Sequence, residues 1–408
     1  MRHIFVIIIL LFASQGIYSQ ESERDSSLTL MFIGDVMGHG PQISGAYYDD
    51  IEGYCYDDVF SRMAPLLKQA DFAIANLEVT LAGPPYKGYP QFSSPDELVD
   101  GLTNSGVNVL VNANNHTVDR HKKGILRTID VLHNRNIPFA GAYKDAQNRD
   151  TAYPLVLEKN GIRVALLNYT YGTNGIPVPK STVVNLIDTA LIRADYNRAM
   201  KLDVDEVIAF MHWGLEYKRT PSLKQLKLTK FMHDLGIRLV IGSHPHVLQR
   251  MEASFDTDST IGRVAVFSLG NYVSNQRPRY RNGGAVAAIN IIKKGGKTNI
   301  ADAGYALVWV HRINIDGTNR FRVLPVSEYE QKEDYLTGND LALFRQFTTD
   351  SRELLERENY NFNEIAFRDG QWIIPWDLPA GFMPGKIERI VPWLNFYKVD
   401  SQIELIVE

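Results

Sequence analysis

Leu239-Val240-Ile241-Gly242-Ser243-His244-Pro245-His246 is an apolar run that stops at a glycine and hands over to two histidines one residue apart. The run reads as a buried strand. Imidazole is the commonest protein metal ligand, and two held on one turn can face a single ion or two neighbouring ions. The pair is also compatible with two ordinary polar loop residues, so its meaning depends on whether the design recurs. It does. Leu28–Ile33 ends in Gly34-Asp35, and Asp71–Ala75 ends in Asn76-Leu77-Glu78. Val107–Val111 leads to Asn114-Asn115-His116, with Asp119 three residues on, and Val207–Met211 ends in His212-Trp213-Gly214, with Glu216 close behind. Val264–Phe267 leads to Ser268-Leu269-Gly270-Asn271. Ligands of open α/β sheets gather beyond the carboxyl ends of strands, so six such runs predict one shared site.

Outward from these runs, the composition is that of a globular chain. Hydrophobic residues make up 45% and charged residues 22% of the 408, which argues against disorder. A net charge of −4 without a long basic run gives no reason to expect nucleic acid as a partner. The N-terminus carries an address. Met1-Arg2-His3 is positive, Ile4–Ala13 is apolar, Ser14–Ser19 is smaller and more polar, and the charged Glu21–Asp25 follows. This is the layout of a secretory signal, cleaved near Ser19-Gln20, with an uncleaved anchor as the alternative. The apolar run is about half the ~20 residues of a membrane-spanning helix. Cys55 is the single cysteine, so no internal disulfide is expected in an exported chain.

Between the runs, helical spacing predicts helices over Asp57–Ala70, from Ser94-Pro95-Asp96-Glu97 onward, to about Asn134 after His116, and over Asp188–Met200. Another helix starts at Thr220-Pro221, passes through Leu223, Leu226, Phe231 and Leu235, and ends at Gly236. Beyond Val264 the turn signals Lys293–Lys297 and Asp316-Gly317 separate three strands, which predict an antiparallel β segment packed beside the α/β region. A helix is expected around Asp340–Glu358, and Trp372, Trp376 and Trp393 mark a tail. The domain reading is a signal over 1–19, a main domain over 27–328 and an extension over 329–408.

Asp35, Glu78, Asn115, His212, His244 and His246 together offer three nitrogen and three oxygen ligands. A thiolate-free mixture of this kind favours Mn, Zn or Fe, as one or two divalent ions. Six ligands exceed one four-coordinate structural zinc and suit two ions bridged by a carboxylate, roughly 3.5–4 Å apart. His116 is a candidate general acid, and Asp119 and Glu216 are candidate catalytic carboxylates beside it. Asn271, Arg277 and Arg279, with Arg281, are candidate contacts for an anionic substrate, a solvated basic loop being the plainer meaning of the arginines.

The ordered set Gly34-Asp35-Val36-Met37, Asn76-Leu77-Glu78, Asn114-Asn115-His116, His212–Tyr217, His244-Pro245-His246-Val247 and Ser268–Asn271 resembles the CapA family of capsule, or poly-γ-glutamate, biosynthesis proteins. The resemblance runs from Leu28 to Gln276. It implies the architecture of calcineurin-like metallophosphatases: a mixed α/β protein whose β-sandwich is flanked by helices, with a two-metal site at the strand ends. By that resemblance Asp35 and His246 serve the first metal, Glu78 bridges, Asn115, His212 and His244 hold the second, and His116 donates a proton. Calcineurin-like phosphatases place a histidine two residues after the first aspartate. Here that residue is Met37, which weakens the first metal site or leaves His39 to complete it. The family implies an exported protein of the periplasm or cell envelope. Its partners would be an anionic surface polymer or its precursor and membrane-bound capsule machinery. Its chemistry would be metal-dependent hydrolysis or transfer at amide or phosphate linkages. A non-catalytic assembly factor and a periplasmic phosphoesterase are the alternatives.

Overall fold

Side chains of a strand alternate between its two faces, and in Ser26–Val36 (β1) both faces are apolar. Leu28, Leu30 and Phe32 join one buried cluster; Met31 and Ile33 join another. The same division runs through the computed structural model of the chain, which describes residues 26–256 and 260–374. The expected signal and the tryptophans at 376 and 393 lie outside the described residues.

Phe72–Leu77 (β2), Val109–Val111 (β3) and Phe139–Ala140 (β4) extend from β1 as a parallel ladder. The second ladder contains Leu155–Lys159 (β5), Ile162–Thr170 (β6), Glu206–His212 (β7), Leu239–Ser243 (β8), Met251–Phe255 (β9) and Ile261–Val266 (β10). Its strands β6, β7, β8 and β10 run parallel, in the order β6-β7-β8-β10. The two ladders face each other. Ile74, Val109, Leu166, Ile208, Phe210, Leu239 and Ile241 fill the space between them with the inner residues of β1. Phe32 and Phe210 meet across it with ring centroids 6.3 Å apart. The outer faces are covered by helices. Glu97–Asn104 (α1) and His121–Asn134 (α2) close over the first ladder, and Thr189–Ala199 (α3) and Leu223–Leu235 (α4) close over the second. The result is a four-layer α/β/β/α sandwich.

The antiparallel segment is present as Gly283–Lys294 (β11), Lys297–Ile315 (β12) and Thr318–Pro325 (β13). It does not lie beside the α/β region, as expected, but inside its first sheet. β11 pairs antiparallel with β1 from Ser26↔Lys293 to Ile33↔Val286, and β12 and β13 follow. Ala287 and Ala288 are fully buried on opposite faces of β11, as an inner strand requires. Gly338–Glu358 (α5) buries Phe344, Phe347, Leu354 and Leu355 in the inter-sheet cluster, so the described part of the extension is continuous with the main body.

Three local expectations change. Asp57–Ala70 is not one helix but the short turns Asp57–Phe60, Ser61–Met63 and Ala64–Leu67, with Pro65 removing an amide donor. Ser94 does not cap α1: it is buried, its N–H donates to the Thr80 carbonyl, and the helix begins at Glu97. α4 begins after Ser222, whose hydroxyl and Gln225 form a reciprocal capping box. Leu223 is exposed, while the buried face of α4 carries Gln225 and Thr229. Gln225 Nε2 donates to Gln249 Oε1 at 2.8 Å, which is why a polar residue faces inward there.

Candidate metal centre

The carboxyl ends of β1, β2, β3, β7 and β8 converge. Asp35, Glu78, Asn115, His212, His244 and His246 are all buried at the convergence. Asn115 Oδ1 is 2.7 Å from His212 Nε2, and His246 Nδ1 is 3.1 Å from Asp35 Oδ2. Glu78 Oε1 lies 3.5 Å from His212 Nε2 and 3.8 Å from His246 Nε2. Ligand atoms of Glu78, His244 and His246 lie within 4.8 Å of one another, and so do those of Asp35, Glu78 and His212. Glu78 belongs to both sets.

Electrostatics fit a cation at this place. Among the described residues neither oxygen of Glu78 has a hydrogen-bond donor, and His244 Nδ1 has no hydrogen-bond partner. An ionised carboxylate buried in this way is costly unless a positive charge compensates it. Burial, and then the charge of Asp35, push the Glu78 carboxyl well above the usual range. Burial also raises Asp35, but the hydrogen bond and charge of His246, with the charge of His212, overcome this and hold it well below. Burial, then the charge of His244, holds His212 well below the ordinary imidazole range. Burial, then the charge of His246, brings His244 down to about 3. Neutral imidazoles and an uncompensated carboxylate are the forms a divalent ion takes as ligands. His244 and His246 also have left-handed backbone, with φ of 102° and 57°. Strain of this sort in non-glycine residues clusters at functional sites.

His116 Nδ1 is 2.7 Å from Asp119 Oδ2, which also accepts the Phe92 N–H at 2.8 Å. The His116 ring is edge-on to Phe92, with centroids 4.6 Å apart. Glu216 is exposed, near Tyr217 at the mouth.

Other expected residues are placed differently. Asn271 is buried behind His246 rather than open to a substrate: its Oδ1 is 3.0 Å from His246 Nδ1, and its Nδ2 donates to Arg281 O at 2.8 Å. Arg277 Nη1 donates to the Val310 carbonyl, and Arg279 makes a two-bond ion pair with Asp350. β12 and α5 supply their partners, so both arginines are held away from the ligand set. His39 Nδ1 lies 3.0 Å from Gln42 Oε1 and 3.3 Å from the Asn275 N–H nitrogen, so that nitrogen faces a short helix and loop. Met37 packs into the apolar cluster under the helices.

Sequence reasoning missed the residues behind and above the ligands. Asn76 Nδ2 is 2.8 Å from Asp35 Oδ1, 3.0 Å from Ser243 Oγ and 3.1 Å from His212 Nδ1. Tyr171 lies over His244 with centroids 4.5 Å apart, and Asn174 Oδ1 accepts from Asn115 Nδ2 at 3.2 Å. The signal for Asn76 was its place two residues before Glu78. Residues that orient metal ligands typically matter tenfold to a hundredfold. Asn76→Ala is therefore expected to weaken divalent-metal affinity about 10–100-fold, read by competition with a chelating dye.

The fold and site define a helix-flanked β-sandwich with one buried glutamate shared by two potential ligand sets at its strand ends. A family model described as bacterial capsule synthesis protein PGA_cap matches residues 29–276. The chain belongs to that family. It is 28% identical over 375 residues to the PGA biosynthesis protein CapA of Bacillus subtilis (strain 168), covering 86% of this chain and 88% of that one. It is 28% identical over 369 residues to the capsule biosynthesis protein CapA of Bacillus anthracis, covering 85% and 80%. Among solved structures it is similar to one described as a novel phosphatase from Mycoplasma pneumoniae, with a TM-score of 0.41 at 15% identity, covering 69% of this chain and 94% of that one. A 5'-nucleotidase from Candida albicans SC5314 gives a TM-score of 0.40 at 12% identity, over 80% and 57%.

Proposed function

We propose that this protein is exported to the cell envelope and acts there on an anionic capsule polymer of the poly-γ-glutamate kind, or on its precursor. The reaction is hydrolysis or transfer at an amide or phosphate linkage. The buried Glu78 carboxylate, with no hydrogen-bond donor to either oxygen among the described residues and histidines on two sides, carries this reading. Asp35, Glu78, Asn115, His212, His244 and His246 would hold one or two divalent ions, Mn, Zn or Fe. Bound there, such ions activate water and stabilise charge on the oxygen under attack. The chain's own residues do the rest. Asp119 fixes the His116 ring through Nδ1, which leaves Nε2 to deliver a proton to the leaving atom. Tyr171 roofs His212 and His244 and limits the approach of water.

The relatives' names support the polymer. Among the described residues no helix is long and apolar enough to cross a membrane. The test is turnover by the metal-loaded full chain of a γ-linked glutamate oligomer against a generic phosphate monoester. Release of glutamate units supports the reading. Phosphate release alone would replace it with a phosphoesterase. One observation favours a non-catalytic assembly factor: the thioether of Met37 is in the core, where the first metal's histidine would otherwise stand. Oligomer binding with no turnover under any metal would select that reading.

A further inference from the structure

Further residues near the centre share the left-handed backbone of its histidines, among them Tyr217, with φ of 65°, and Tyr280, with φ of 74°. Conformations of this kind persist where the surrounding structure holds them. What holds these is the metal-centre wall. The Tyr217 N–H donates at 2.8 Å to the carbonyl of Pro245, the residue between His244 and His246. Tyr280 precedes Arg281, whose carbonyl accepts from Asn271 Nδ2 at 2.8 Å; the same Asn271 lies 3.0 Å from His246 Nδ1. The first loop is thus tied directly to the turn that carries the histidines, and the second reaches it through the Asn271 side chain.

Their side chains meet at the rim. The Arg281 guanidinium lies 3.3 Å over the Tyr217 ring, and that ring is 6.1 Å from the His246 ring. Arg281 differs from its neighbours in the loop. Arg279 is committed to Asp350, and Arg277 to a backbone carbonyl. Arg281 makes no ion pair among the described residues. Stacking orients a planar cation while leaving its N–H edge free, and that edge matches a carboxylate with two parallel hydrogen bonds.

We propose that Arg281, stacked on Tyr217, is the specificity residue of this centre and binds the free carboxylate beside the linkage that lies over the metal-ligating cluster. The inference rests on the polymer reading above and deepens it: the group recognised is the carboxylate of a γ-linked acidic residue. Because the backbone carbonyl of Arg281, not its side chain, holds Asn271, replacing the side chain leaves the histidine turn in place.

The test is calorimetric titration of the metal-loaded full chain with a short γ-linked glutamate oligomer, with its methyl ester, and with inorganic phosphate. Arg281→Gln is expected to weaken binding of the free acid about tenfold or more, with metal content unchanged. Arg281→Lys, which keeps the charge but not the planar fork, is expected to fall between. The methyl ester is expected to bind all three proteins alike. In any turnover assay the change is expected in KM more than in kcat. Equal binding of the free acid by wild type and Arg281→Gln would overturn the assignment and leave the polymer reading standing. Wild-type binding of phosphate but of neither oligomer would overturn the polymer reading, and the carboxylate subsite with it.

Discussion

Glu78→Gln, measured without metal, is expected to unfold at a higher temperature than the wild type, by a margin that grows with pH. The Glu78 carboxyl is raised in the folded protein by burial and by Asp35, so the folded state keeps its proton where the unfolded chain has released it. Stability from that proton is fully present below the unfolded value and is lost as pH rises toward the folded one. The loss amounts to about 1.4 kcal/mol per pH unit across that window. Glutamine keeps the shape and has nothing to ionise. His212 and His244 titrate in the opposite sense, since their lowered values remove stability as pH falls below the ordinary imidazole range. Both histidines are present in the two proteins, so the difference curve isolates Glu78. Added Mn or Zn should reverse the order, stabilising the wild type by more than the variant. A difference that is flat between pH 5 and 8 would mean that Glu78 finds a partner in the metal-free protein.

His116→Ala is expected to lower kcat about 10²–10⁴-fold on any substrate the wild type turns over, with metal content unchanged. His116 lies outside both ligand sets and is held by Asp119 at 2.7 Å, so its loss removes a proton donor without opening the ion site. Asp119→Asn should give a smaller loss, because Asn can still meet the ring nitrogen while the carboxylate's orienting charge is gone. Parallel loss of metal and activity in His116→Ala would contradict the division of roles. A substrate with an already acidic leaving group should be affected least by His116→Ala, since it needs no proton.

Much of the centre was legible because its residues follow apolar runs. A strand announces itself by composition, and whatever follows it is carried to the sheet's carboxyl edge. That logic placed Asp35, Glu78, Asn115, His212, His244 and His246 together from local signals. The layers were less legible. Leu28–Ile33 is apolar on both faces, so alternation cannot say which face meets the second sheet and which meets helices. The insertion of Gly283–Lys294 beside β1 pairs residues more than 250 positions apart, which no turn signal encodes. The helix Leu223–Leu235 and its end at Gly236 were legible, but its inward face was not, because Gln225 and Thr229 turn inward to hydrogen-bond buried acceptors.

Partners behind the ligands were also hidden, for the same reason of distance along the chain. Asn76 and Ser243 are 167 residues apart and 3.0 Å apart in space. Arg277, Arg279 and Arg281 look alike in sequence, and only Val310, Asp350 and Tyr217 distinguish them. His39 lies close enough in sequence to Asp35 to stand in for the missing histidine, yet its Nδ1 faces Gln42 and Asn275.

The most direct measurement is elemental analysis of the protein, purified without added metal and again after loading, beside Glu78→Gln. Two ligand sets sharing one carboxylate predict about two equivalents of Mn, Zn or Fe per chain in the wild type, and one or fewer in the variant. A wild type that holds no metal after loading, or a variant that holds as much as the wild type, would contradict the account.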